Sequence, residues 1–155
     1  MLTFAYRGHI QVKRIVQNPS ANSFFQRSIK FHSQLIESNR KPVVQEIEDR
    51  LEAMQAIVGG MIQAVYPFHD PVAVICNDEG KLLGLPPNRA LHHPDTGEIY
   101  DILCGTVFLC GAPLEGETFT SLSAAQIEHY RQVFLCPEVF LNTTNGLMII
   151  KMGES

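Results

Sequence analysis

The only compact cluster of proton-carrying side chains in the sequence is His92-His93-Pro94-Asp95. Imidazoles beside a carboxylate could hold a metal ion or move a proton. Adjacent residues on an extended segment point to opposite sides, so His92 and His93 share a metal only where the chain curls. No HxxxH, HExxH or HxH spacing occurs, and His9, His32, His69 and His129 stand isolated. There is no GxSxG elbow, and Ser121 and Ser123 suit turn and cap positions. Gly59-Gly60 closes a helical pattern, whereas a phosphate-cradling loop must open one. Cys76, Cys104, Cys110 and Cys136 include no CxxC pair, and three of them sit in apolar runs, as small buried hydrophobes do. Cys104 and Cys110 are expected on one face of a single strand. The residues therefore assign no catalytic group, no metal site and no cofactor.

The more distinctive stretch is Asn77-Asp78-Glu79-Gly80-Lys81-Leu82-Leu83-Gly84-Leu85-Pro86-Pro87-Asn88-Arg89. A hairpin turn at 77–80, a return strand KLLGL and a Pro-Pro exit would present Asn88 and Arg89 on a rigid loop. Arg89 offers a planar fork for carboxylate or phosphate, and Asn88 offers both a donor and an acceptor. With Lys81 and Asn77 they form the candidate site for a small anionic ligand. The alternative is internal: Asn88 caps the loop and Arg89 pairs with Asp101 or Glu98.

These residues need elements to hold them. MLTFAY and HIQVKRIVQ read as two strands around Arg7-Gly8, and Asn18-Pro19-Ser20 as a turn or linker. SFFQRSIKFHSQLIE satisfies neither period well, and its second half favours a strand. Pro42 opens a predicted amphipathic helix with Val44, Ile47, Leu51, Met54 and Val58 on one stripe and a glycine stop at 59–60. MIQAVYPF and VAVIC follow as strands, the second apolar on both faces and hence central. Residues 88–100 read as a loop, and IYDILCGTVFLCG as one long strand bulged at Gly105. Ser123 with Gln126 forms a capping box, and Leu122 with Ile127 a hydrophobic staple, at the start of a helix carrying Ile127, Tyr130 and Phe134. Asn145-Gly146 turns into a last strand, LMIIKM. The order of elements predicts a single α+β domain, mainly an antiparallel sheet with about two packed helices. Residues 1–32 form a basic N-terminal segment, and 33–155 the core domain with its C-terminal strand.

At 155 residues, 45% hydrophobic and 18% charged, the chain has the size and composition of one folded domain. It shows no long apolar run and no secretory signal, so a cytoplasmic protein without a membrane span is expected. The net charge of −4 is unevenly spread. Residues 1–41 hold seven Lys/Arg against the single acid Glu37, and residues 42–155 hold five against fifteen Asp/Glu. So acidic a body offers phosphates few cations, which speaks against nucleic acid as a partner. A basic arm on an acidic body is also compatible with pairing between subunits.

The runs EIEDRLEAMQAIVGGMIQAVYPF, VAVICNDEGKLLGLPPNRAL, IYDILCGTVFLCG and FTSLSAAQIEHYRQVF together resemble an uncharacterised domain family of bacterial conjugative elements, plasmids and phages. The resemblance spans about residues 33–140 and is most specific at Val58-Gly59-Gly60 and in 77–89. It implies a small accessory protein of a mobile element, adds weight to Asn88 and Arg89, and carries no known activity. The expected function is non-enzymatic binding of a small anionic, nucleotide-like ligand or of a host protein. The alternatives are a small hydrolase using His92, His93 and Asp95, and a structural homo-oligomer.

Overall fold

The computed structural model describes the backbone of residues 2–7 and 10–15, and residues 29–153 apart from Glu117. The expected turn at 18–20 and the first part of the SFFQRSIKFHSQLIE segment lie outside these residues. The strands are β1 (Leu2–Arg7), β2 (Ile10–Ile15), β3 (Lys30–Ile36), β4 (Val43–Glu48), β5 (Ile62–Val65), β6 (Val72–Asn77), β7 (Pro87–His92), β8 (Ile99–Cys104), β9 (Val107–Gly111), β10 (Glu138–Thr143) and β11 (Gly146–Lys151). The helices are α1 (Leu51–Val58) and α2 (Ala124–Val133). Seven strands form one antiparallel sheet in the order β1-β2-β5-β6-β9-β3-β4, and β7-β8 and β10-β11 form separate two-stranded ribbons. This is the α+β architecture expected from the sequence. β3 crosses the boundary expected near residue 32, and β2 pairs with β5 in the same sheet.

The alternation of side chains across β6 and β9 divides the core in two. Val72, Val74, Val107 and Leu109 face one side, where Tyr130 of α2, Phe134 at its C-cap, and Leu91 and Leu103 of the β7-β8 ribbon cover them. Ala73, Ile75, Phe108 and Cys110 face the other, against Met54 and Val58 of α1. All six residues of β6 are buried, as a strand covered on both faces must be.

Four expectations need correction. Residues 43–48 are a strand, and α1 begins only at Leu51. The β-branched Val43, Val44 and Ile47 pair along β3, and Ile47 still joins the core cluster of Met54 and Val58, so strand and helix share one apolar stripe. The segment after Asn77 is a run of turns, not a return strand: Leu83 N–H bonds Glu79 O at 2.9 Å and Leu85 N–H bonds Gly80 O at 3.0 Å. Residues 87–92 are β7 and not part of a loop. Finally, 99–111 is two strands, because Gly105 at φ 83° turns the chain from the β7-β8 ribbon into the main sheet. Cys104 and Cys110 consequently lie on different strands of different sheets.

Other expectations match. Gly59 ends α1 in the left-handed conformation at φ 79°. Ser123 and Gln126 make both bonds of the capping box at α2. Asn145-Gly146 joins β10 to β11. Among the described residues no helix is long and apolar enough to cross a membrane.

Candidate functional site

Asn88 and Arg89 lie in β7 beneath the C-terminal end of α2, and both are buried. The Asn88 Nδ2 donates to Ile36 O at 2.9 Å and to Gly105 O at 2.8 Å, tying β7 to the end of β3 and to the chain reversal after β8. The Arg89 Nη2 donates to Phe134 O at 3.0 Å and to Arg40 O at 2.7 Å. Its Nη1 donates to Asn88 Oδ1 at 2.9 Å. Phe134 is the C-cap of α2, whose last carbonyls have no helical partner and carry the negative end of the helix dipole. A guanidinium there satisfies both the hydrogen-bonding and the charge requirement.

Glu138, the first residue of β10, is the buried acid nearest in role. Its carboxylate accepts the Ala90 N–H at 3.3 Å. Burial raises its pKa, while the Ala90 bond and the Arg89 charge pull it down. Burial likewise lowers the pKa of Arg89, with Glu138 opposing the shift. Arg89 pairs with neither Asp101 nor Glu98; Asp101 is bonded by Lys81 instead. Asn77 accepts the Glu79 N–H at 2.8 Å and donates to Val58 O at 3.2 Å, the last residue of α1. The structure therefore brings Asn88 and Arg89 together in the interior. It places Lys81 on the surface and Asn77 at the end of β6, bonded to the last residue of α1. Each of the four spends polar atoms on bonds within the chain.

The histidine cluster is also dispersed. The His92 Nδ1 lies 3.0 Å from Gly97 O, and the Asp95 N–H donates to His93 Nδ1 at 3.3 Å. The Asp95 carboxylate reaches His69 Nε2 at 2.7 Å, an exposed pair formed across the fold. His69 stands 26 positions upstream, so no local spacing announces it. Among the described residues no group of three His, Cys, Asp or Glu is placed to hold a metal. Burial pushes the Cys76 thiol up to about 12 and raises Cys110 further, which suits packing and not nucleophilic attack.

The feature that local sequence reading missed is the outer surface of the β10-β11 hairpin. Its register sets Leu141 opposite Met148 and Val139 opposite Ile150, on one face. Glu138 and Phe140 point the other way, toward β7 where Glu138 bonds. Leu141, Met148, Ile150 and Met152 are 42–50% exposed on the outward face. The alternation of LMIIKM contained the signal, but a partner strand was needed to show which residues share a face.

An antiparallel sheet clad by two helices and a ribbon defines the class of protein. Residues 31–135, about two thirds of the chain, match the family described as Domain of unknown function (DUF3846), and the chain belongs to that family. Comparison with curated proteins and with solved structures finds no match. The β10-β11 hairpin lies beyond the matched residues.

Proposed function

We propose that the protein is a non-enzymatic accessory protein of a mobile element or phage that acts by binding a host protein. The observation that carries this reading is the outward apolar face of β10-β11, where Leu141, Met148, Ile150 and Met152 are each about half exposed. Contiguous exposed apolar surface is the mark of a docking site. Covering each of these side chains would contribute on the order of 1 kcal/mol. The mobile-element setting is supported by the resemblance of the 77–89 run and its neighbours to proteins of such elements. The anionic-ligand form of the reading has less support, because Asn77, Lys81, Asn88 and Arg89 are engaged internally.

The test is affinity capture from host cells followed by native mass spectrometry, with the wild-type chain and with Ile150→Lys. A host protein retained by the wild type and lost from a folded Ile150→Lys chain is the expected result. Identical retention by both chains would remove the hairpin from the reading. A retained nucleotide-like mass that disappears in Lys81→Ala would favour the anionic ligand instead.

A further inference from the structure

We infer that a second copy of this chain docks along β4, extending the main sheet across a two-fold axis. β4 is the last strand of its sheet and among the described residues pairs only with β3, which leaves outward backbone donors and acceptors on its other edge. Val43 and Val44 on that strand are 58% and 48% exposed. An open edge with exposed β-branched residues is a template for another strand.

Charge decides which strand fits. The segment runs from basic to acidic: Arg40 and Lys41 precede it, Glu46 and Glu48 lie within it, and Asp49 follows. A two-fold axis perpendicular to the sheet runs the second strand antiparallel and keeps α1 of both copies on the same side. An axis at Val44 sets Arg40 opposite Glu48 of the second copy, with Val44 against its own equivalent. An axis at Gln45 sets Lys41 opposite Asp49 of the second copy. Either register joins opposite charges at both ends, and such cross-strand pairs stabilise a sheet. Within the chain Arg40 meets Glu37 at 3.4 Å and Glu48 meets Arg50 at 2.6 Å, both as exposed pairs that exchange at little cost. Lys41 has no ion-pair partner among the described residues. Pro42 lacks an N–H and so limits the new ladder to β4 itself.

This surface is distinct from the β10-β11 face, so the failure of either proposal leaves the other standing. Sedimentation velocity of the full chain over a dilution series tests it. The wild type should form a dimer that weakens as salt screens the end charges. With the axis at Val44, Val44→Lys should raise the dissociation constant roughly tenfold or more, by removing apolar contact and opposing like charges. With the axis at Gln45, Lys41→Glu should do so, by setting a like charge against Asp49 of the second copy. Ile150→Lys should leave it unchanged. If circular dichroism shows Val44→Lys unfolded, Arg40→Glu takes its place, because that exposed side chain meets Glu48 of the second copy in the same register. Lys41→Glu, whose side chain holds no ion pair among the described residues, decides for the other register. A wild type that stays monomeric throughout overturns the inference. So does a dimer indifferent to Val44→Lys and Lys41→Glu, or one lost in Ile150→Lys alone.

Discussion

At the scale of single residues, Arg89 decides the most. Its guanidinium gathers the C-cap carbonyl of α2, the carbonyl of Arg40 ahead of β4, and its neighbour Asn88. Arg89→Ala would strand those acceptors and remove one of the positive charges that act on Glu138. The expected loss is about 2–4 kcal/mol of unfolding free energy, the cost of leaving buried carbonyls without a charged donor, read by urea titration. Glu138 adds a pH dependence whose sign follows from its burial. Its folded pKa lies above the ordinary carboxylate value of about 4.3, so in between the native chain keeps a proton that the unfolded chain has lost. The contribution is complete below that window and falls as pH rises through the folded pKa. Glu138→Gln keeps an acceptor for Ala90 N–H and should flatten that part of the stability-versus-pH curve; an unchanged slope would assign it to another group. Sequence alone singled out Asn88 and Arg89 by type, because a fork and an amide beside Pro-Pro are unusual. It did not show that their targets, at positions 36, 40, 105 and 134, come from the rest of the domain.

At the scale of elements, the local signals that held were those completed within a few residues. The Ser123-Gln126 capping box and the Gly59 stop are of this kind. The signal that misled was the apolar recurrence across 44–58, where a strand and a helix in tandem place Ile47, Met54 and Val58 in one cluster. Gly105 shows a turn that only packing makes obligatory. It combines φ 83° with an approach that would bring a Cβ within 2.7 Å of Leu85 Cδ1. Gly84, at φ 66°, has open space around its missing Cβ. Gly84→Ala should therefore cost only the left-handed backbone term, about 1–2 kcal/mol. Gly105→Ala should cost more, by roughly another 1–3 kcal/mol for the forced contact. Equal losses in thermal melts would mean that Leu85 moves aside freely.

At the scale of the whole molecule, β6 and β9 form the spine, buried on both faces. They put Cys76 in the cluster beneath α2 and Cys110 in the cluster beneath α1. Each thiol thus reports on one side of the sheet. Under native conditions both should resist iodoacetamide while half-buried Cys136 reacts, and both should become reactive together if the sheet opens as one unit. Separate unprotection along a urea gradient, followed by mass spectrometry, would instead show that the α1 and α2 layers open independently. The β4 edge and the β10-β11 face lie outside this spine. They have exposed apolar side chains because nothing in the described chain covers them.

What the amino-acid order determined by itself is the class of fold, the central strand VAVIC, the cap and stop of the helices, and the absence of a local catalytic spacing. Those follow from periodicity, β-branching, glycine conformation and short-range hydrogen bonds, all complete within one segment. Tertiary structure alone decided that 43–48 is an edge strand, that 99–111 is cut at Gly105, that His69 finds Asp95, and that Arg89 is an internal strut. In each of these cases the deciding partner is distant along the chain. The energy of satisfying a buried carbonyl, covering an apolar face or meeting a charge becomes available only when the fold brings that partner into place.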